Sequence, residues 1–129
     1  MDNSNAMIVR KAYQDFADGD VAAVFSSFDE GIAWHVPGHS PLSGKYKGHD
    51  QVRAFFQRTM ELSRGSFRIE VHQVLAGDDL VVVLATISAR RNEVSACFSE
   101  VHVWTFKSGK IVSFREYQGD EQREDAFWS

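Results

Sequence analysis

The second half of the chain has the alternating pattern of long β-strands. From Phe67 onward, apolar residues alternate with polar ones, as in a strand that buries one face. Three further strand-like segments follow, at 80–91, 94–106 and 110–118. Strands of this length are about twice the usual five or six residues, and long strands must twist and curl. The pattern therefore predicts a curled antiparallel sheet.

The first half has the period of amphipathic helices instead. Its apolar residues form three stripes: Val9, Ala12, Tyr13, Phe16 and Ala17; Val21, Val24, Phe25 and Phe28; and Val52, Phe55, Phe56, Thr59 and Met60. A short strand is predicted over 31–36. Together these elements predict one α+β domain over residues 7–129, with three helices on the concave side of the curled sheet. Residues 1–6 are predicted to be a polar tail, either a native start or a cloning remnant.

Composition excludes several classes of partner. A chain of 129 residues is about one domain, and a net charge of -4 supplies no basic surface for nucleic acid. Cys97 is the one cysteine, so no disulfide forms within the chain and a reducing compartment is expected. The polar first residues lack the apolar stretch of a signal peptide, and the longest apolar run, 80–85, is too short for a bilayer. We therefore predict a cytoplasmic protein without membrane contact.

The segment 34–44 is the most unusual stretch of the chain. It holds both prolines, two of the five histidines and one of the three tryptophans. Proline and glycine fix where a backbone bends, whereas a structural turn has no need of Trp or His. We interpret the segment as a functional loop at the lip of a pocket.

The last two strands determine which polar groups share a face. A three-residue loop at 107–109 would pair Phe106 with Lys110. This register places Trp104 opposite Val112, His102 opposite Phe114, and Glu100 opposite Glu116, all on one face. The other face carries Ser99, Val101, Val103 and Thr105, a smoother surface suited to a second subunit.

Two facing carboxylates repel one another, and burial adds to the cost. Three arrangements would relieve the repulsion of Glu100 and Glu116: one keeps a proton near neutral pH, His102 lies between them as a cation, or an arginine reaches in. Each arrangement would shift the pKa of at least one of these groups, and shifted pKa values are typical of acid/base sites. In the alternative interpretation this end of the hairpin projects into solvent and both glutamates are ordinary.

Several segments in this order resemble the nuclear transport factor 2-like (NTF2-like) superfamily, in particular SnoaL-like polyketide cyclases and ketosteroid isomerases. They are Ala17-Asp18-Gly19-Asp20, the Trp-His-x-Pro-Gly segment from Trp34, Pro41 to Gly48, and Ser108 to Val112. The resemblance covers 7–119. It implies a cone-shaped fold whose mouth admits a hydrophobic ligand, commonly a homodimer through the outer sheet face. The superfamily includes isomerases, cyclases, epoxide hydrolases, dehydratases and proteins without chemistry, so the fold alone does not define the function.

The resemblance also suggests site residues. In polyketide cyclases the proton-transferring carboxylate lies on the last strand and a histidine on the strand before it, which correspond to Glu116 and His102. In ketosteroid isomerases the base precedes the Pro/Gly loop, where this chain has His35, and the second acidic group corresponds to His102. Their helix-one tyrosine falls on Ala12, with Tyr13 turned about 100° around the helix. These departures argue against a true steroid isomerase.

The leading hypothesis is therefore proton transfer next to a carbonyl on an apolar small molecule. Glu116 would be the acid/base, His102 its partner or the polariser of the carbonyl, Glu100 the facing carboxyl, and His35 a second base at the mouth. His35 could instead only hydrogen-bond the loop. The predicted ligand-binding residues, which could equally be plain packing, are Trp34, Trp104, Phe114, Phe55, Phe56, Met60 and Phe98.

Two alternatives remain, and no cofactor or metal is predicted. A non-catalytic ligand-binding or dimerisation module would have the same fold. An epoxide hydrolase would need an inward arginine, but the register directs Arg115 outward. Pro37 and Gly38 exclude the helix on which His35 and His39 could bind a metal together, and the zinc-protease motif His-Glu-x-x-His is absent from the sequence.

Overall fold

The computed structural model describes residues 4–129. The elements in chain order are α1 (Ser4–Ala17), α2 (Val21–Phe25), β1 (Phe28–Val36), β2 (Gly44–Lys47), α3 (Gly48–Ser63), β3 (Arg68–Ala76), β4 (Leu80–Arg91), β5 (Val94–Lys107), β6 (Lys110–Gln118) and α4 (Glu121–Trp128).

The six strands form one curled, unclosed sheet in the order β2-β1-β6-β5-β4-β3. Strands β1 and β6 run parallel and all other neighbours are antiparallel, so the sheet is mixed. Register shifts that mark bulges interrupt three of the strand pairs, and bulges increase the local bend and twist. Helices α1 and α3 pack on the sheet. The predicted fold class is confirmed.

The β5–β6 turn differs from the prediction. Ser108 and Gly109 have φ of 52° and 79°, and Lys107 pairs with Lys110, so the loop has two residues of the type I′ kind. A bulge next to Phe106 moves the pairing by one more residue. The predicted register was therefore wrong by two residues.

The corrected register keeps most side chains on the predicted face. His102 now pairs with Glu116, Trp104 with Phe114, and Glu100 with Gln118. Because side chains alternate with a period of two, a shift of two residues changes the partners of a strand but not its inward face. Val112 is the exception, since the bulge turns Ile111 into the core in its place.

Several element boundaries also differ. Phe28 begins β1 and is buried beside Phe25, so it does not belong to the second helix as predicted. Strand β2, which was not predicted, begins at Gly44, the last residue of the segment that we interpreted as loop. Helix α1 begins at Ser4, so residues 4–6 of the predicted tail are helical; residues 1–3 lie outside the described part.

Helix α4 was not predicted. It begins after Asp120, whose side chain accepts a hydrogen bond from the Arg123 backbone N–H at 3.1 Å. Trp128 is buried in a small cluster with Leu42 and Ala89, which fixes α4 against the sheet end and the loop. Within residues 4–129, no helix has the length and apolar character needed to cross a bilayer.

Candidate active site

A cavity of about 70 Å³ lies between the inner face of the sheet and helices α1 and α3. Its aromatic wall includes five of the seven predicted ligand-binding residues: Trp34, Trp104, Phe114, Phe55 and Phe56. The other two are not in its lining. Phe98 packs on Phe127 with ring centroids 5.5 Å apart, and Met60 is partly buried elsewhere on α3.

The parallel pairing of β1 with β6 builds the core of this wall. It places Trp34 beside Phe114, and the two rings stack with centroids 3.9 Å apart and planes 19° from parallel. Trp104 meets Phe114 edge-on at 4.7 Å. Offset and edge-to-face contacts are the favourable ring geometries, so these rings form a well-packed apolar wall.

A line of hydrogen bonds runs from the aromatic wall to Glu100. Trp104 Nε1 donates to the Tyr13 hydroxyl oxygen at 3.1 Å, and this oxygen lies 2.6 Å from His102 Nδ1. On the other side of the ring, His102 Nε2 lies 2.9 Å from Glu100 Oε1. The Tyr13 proton needs an acceptor, and His102 Nδ1 provides it. We therefore assign the His102 proton to Nε2, which donates to Glu100.

His102 is neutral at physiological pH. The residue is 3% exposed, and desolvation by burial lowers the pKa of its imidazole to about 4. The nearby Glu116 raises this pKa but does not compensate for the burial. The predicted alternative of a cationic His102 between the two glutamates therefore does not hold.

Three carboxyl groups meet beside His102. Glu100 on β5 and Glu124 on α4 are buried, and Glu116 on β6 is partly buried and lines the cavity. Side-chain hydrogen bonds join Glu100 to both of the others. Desolvation, and then the charge of Glu116, raise the pKa of Glu100 well above its usual value. Burial, and then a hydrogen bond and the charge of Glu100, raise the pKa of Glu124 to about 11.

Within this cluster, Glu124 donates a hydrogen bond to Glu100, and Glu100 donates one to Glu116. The bond to Glu124 lowers the pKa of Glu100, and the bond to Glu100 lowers that of Glu116, as expected when each carboxyl receives a proton from its neighbour. Gln118 Nε2 also donates to Glu116 Oε2 at 2.7 Å. Burial still raises the pKa of Glu116. Glu116 accepts hydrogen bonds from Gln118 and Glu100 and donates none within this cluster, so its ionised form can act as a base.

A second, smaller cavity of about 30 Å³ lies on the α4 side of these carboxyls. Ser40 and Leu42 of the 34–44 loop line it, so the loop encloses this end of the site. Helix α4 is held there by Arg91, which donates to Leu62 O at 3.0 Å and to Phe127 O at 2.6 Å.

His35 is not brought to the other predicted catalytic residues. It alternates with the inward-facing Trp34 along β1, pairs with Lys45 of β2, and does not line either cavity above. It faces a shallow depression with Lys45 and Arg115. Burial, followed by the charges of Arg115 and Lys45, lowers the pKa of its imidazole. The placement gives His35 no access to a ligand in the aromatic cavity.

Sequence reasoning missed Tyr13 and Glu124. Tyr13 belongs to the predicted stripe of α1, and the cavity-facing side of that stripe includes it together with Ala12 and Phe16. Glu124, Phe127 and Trp128 lie at i, i+3 and i+4, and Asp120 is a good cap. This local signal could have predicted α4 with Glu124 on its buried face.

Among residues 4–129, two groups of side chains have the spacing of metal ligands. Ligand atoms of Glu100, His102 and Glu116 lie within 4.8 Å of one another, as do those of the surface group His39, Glu121 and Asp125. In the first group both His102 nitrogens are engaged, Nδ1 with Tyr13 and Nε2 with Glu100, so neither offers a free lone pair. The observed hydrogen bonds therefore favour protons over a metal ion here.

A curled, unclosed mixed sheet with helices packed on it defines the NTF2-like class of α+β proteins. The chain belongs to the SnoaL-like domain family, whose model matches residues 9–114.

Similar solved structures and a protein of similar sequence span nearly the whole chain. Bal32a from a soil-derived mobile gene cassette is 32% identical, with a TM-score of 0.95 and 98% of each chain covered. An NTF2-like protein of unknown function from Burkholderia pseudomallei is 26% identical, with a TM-score of 0.89, over 100% of this chain and 99% of the other. An uncharacterised Mycobacterium tuberculosis protein is 26% identical over 129 residues, 99% of this chain and 98% of that protein.

Proposed function

We propose that the protein is a small-molecule enzyme that moves a proton next to a carbonyl group of an apolar ligand, with Glu116 as the base. The observation that carries this proposal is the position of Glu116. It lines an aromatic cavity, opposite His102, and accepts hydrogen bonds from Gln118 and Glu100. A carboxyl group raised in pKa by an apolar surrounding is suited to proton transfer near neutral pH.

In this reaction the Glu116 carboxylate takes a proton from the carbon beside the carbonyl. The C–H electron pair moves towards the carbonyl oxygen, which becomes an enolate. Tyr13 can turn its O–H from His102 to this oxygen at the cost of one neutral hydrogen bond, while Trp104 keeps the Tyr13 oxygen in place. In a conjugated ligand, protonation of another carbon by Glu116 then gives an isomer. Alternatively, attack of the enolate carbon on a second carbonyl of the ligand closes a ring, and the alkoxide that forms takes the proton from Glu116.

His102 and Glu100 have supporting roles in this proposal. His102 is neutral and hydrogen-bonded at both nitrogens, so it orients Tyr13 and Glu100 and does not itself take the ligand proton. Glu100 retains its proton and donates to Glu116, which favours the ionised base. These roles replace the predicted use of His102 as the carbonyl polariser.

The proposal is tested by solvent deuterium exchange. In D₂O, NMR would follow loss of the α-proton signals of small ketones such as acetophenone, with wild type, Glu116→Gln and the exposed control Glu121→Gln. We expect Glu116→Gln to lose at least about 100-fold in exchange rate, and the control to match wild type. Exchange by Glu116→Gln at the wild-type rate would reject Glu116 as the base.

The same experiment separates the alternatives. Ketone binding without exchange above the buffer rate indicates a non-catalytic ligand-binding module. An epoxide hydrolase is disfavoured because the residues that line the two cavities include no arginine, and Arg115 is exposed with its guanidinium 5.5 Å from the Tyr117 ring.

We also propose a cytoplasmic homodimer formed through the outer sheet face. Leu84, Val101 and Tyr117 form one cross-strand row on that face, and Leu84 and Tyr117 are 36% and 50% exposed. Exposed apolar rows of this kind are typical of interfaces. Light scattering on wild type and Leu84→Glu tests this, with a dimer expected for wild type and a monomer for the variant. A monomeric wild type would refute it.

A further inference from the structure

The smaller cavity beside α4 contains two buried acceptors without a partner. Gln118 Oε1 and Glu124 Oε2 are both inaccessible to solvent and face no hydrogen-bond donor within the described residues. Glu124 is 2% exposed, and both residues line this cavity. A buried polar atom without a partner destabilises the fold, so the site favours any group that supplies the missing donor.

The identity of the donor follows from the acceptors. Gln118 donates to Glu116 through Nε2, which fixes its free Oε1 as an acceptor. A volume of about 30 Å³ has room for one or two non-hydrogen atoms. A hydroxyl group fits this volume and can donate to one of the two acceptors, and it can come from a ligand or from a water molecule.

The smaller cavity adjoins the aromatic one at the carboxyl cluster. The two cavities share six lining residues: Phe55, Thr59, Phe67, Ile87, Glu100 and Glu116. A ring held against Trp34 and Phe114 can therefore direct a substituent past Glu116 towards Gln118. A substituent there would be held next to the proposed base.

We propose that the smaller cavity is a subsite for a hydroxyl group of the ligand, so that the ligand class is an apolar ring compound bearing an alcohol or phenol group. This inference rests on the proposed function only in placing the ring in the aromatic cavity. It names a substrate feature that no proton-transfer step requires.

Phenol and toluene form a matched pair of probes, because they differ by a hydroxyl in place of a methyl. Both would be titrated into wild type, Gln118→Met, Glu124→Gln and the exposed control Gln73→Met, with dissociation constants from ¹H–¹⁵N NMR. We expect the ratio of the toluene to the phenol constant to fall about 3- to 10-fold in Gln118→Met and to be unchanged in Gln73→Met. Phenol, but not toluene, should shift the Gln118 side-chain amide signals in wild type.

Each of the following outcomes either supports or rejects the hydroxyl subsite. Should Gln118→Met not fold, the Gln118 amide signals in wild type decide alone, and Glu124→Gln, which keeps an acceptor oxygen in place of the protonated carboxyl, should leave the ratio as in wild type. A ratio that is equal in all four proteins, with unmoved Gln118 amide signals, overturns the subsite and identifies a cavity for water, while the proposed function stands. If neither probe binds wild type, the aromatic cavity does not accept a ring, and the subsite fails together with the proposed function.

Discussion

His102 and Glu116 face each other directly across the β5–β6 pair, yet His102 Nε2 is bonded to Glu100 on its own strand at 2.9 Å. The imidazole thus bridges the tyrosine of α1 and a carboxyl of β5, and Glu116 remains directed to the cavity. This arrangement separates the group that can react from the groups that hold it.

The first prediction concerns Glu124 and alkaline pH. Its folded pKa, about 11, lies above the unfolded value of 4.5. The folded state therefore binds one more proton between these values, so the stabilisation is complete below pH 4.5 and is lost as pH rises towards 11. In urea unfolding from pH 6 to 9, the free energy of unfolding of Glu124→Gln should rise relative to that of wild type, by at most about 1.4 kcal/mol per pH unit. If the free energies of unfolding of Glu124→Gln and wild type changed with pH in parallel, Glu124 would not retain its proton. Parallel behaviour is expected for the exposed control Glu121→Gln.

The second prediction concerns His102 and acidic pH. Its pKa is lowered by burial, so the unfolded state binds the extra proton between about pH 4 and 6.5. The contribution of His102 to stability should therefore decrease as pH falls through this window. Imidazole ¹⁵N shifts of labelled protein at pH 5.5 should show a neutral His102 protonated at Nε2. A His102 signal that titrates near 6.5 would show that the ring is not desolvated.

The third prediction is that Tyr13→Phe destabilises the fold. The substitution leaves His102 Nδ1 and Trp104 Nε1 without their partner, and an unmade buried hydrogen bond costs about 1–3 kcal/mol. Urea unfolding at pH 7 measures the loss. Tyr117→Phe is the matched control because Tyr117 is 50% exposed on the outer face. Equal stability of the two variants would mean that the Tyr13 hydroxyl contributes nothing to the fold.

The fourth prediction concerns the contact between the loop and α4. Gly38 has a φ of 96°, and a Cβ there would overlap the Asp125 carboxylate, which accepts from the His39 N–H at 3.0 Å. Gly19 also has a positive φ, 78°, but nothing lies near its Cβ position. Both alanine variants incur backbone strain of about 1 kcal/mol. Gly38→Ala should cost about 1 kcal/mol more in thermal or urea unfolding, because it alone also displaces the Asp125 side chain from its hydrogen bond with the His39 N–H.

Local periodicity was sufficient for much of the architecture. The helical stripes and the strand alternation predicted the class of fold, and they placed Glu100, His102, Trp104, Phe114 and Glu116 on one inward face. That face survived a two-residue error in register because side chains alternate along a strand. By contrast, the prediction that His35 joins this site failed on the same rule, since His35 and Trp34 are adjacent on β1 and must face opposite ways.

The sequence alone determined the type of each long element and the inward face of the last two strands, because both follow from contacts between near neighbours along the chain. Only the tertiary structure decided that Tyr13 and Glu124, 111 positions apart in the chain, approach the same histidine and carboxyls. No local pattern encodes such a meeting. It depends on how far the sheet curls, on one bulge in the last hairpin, and on a terminal helix held by Arg91.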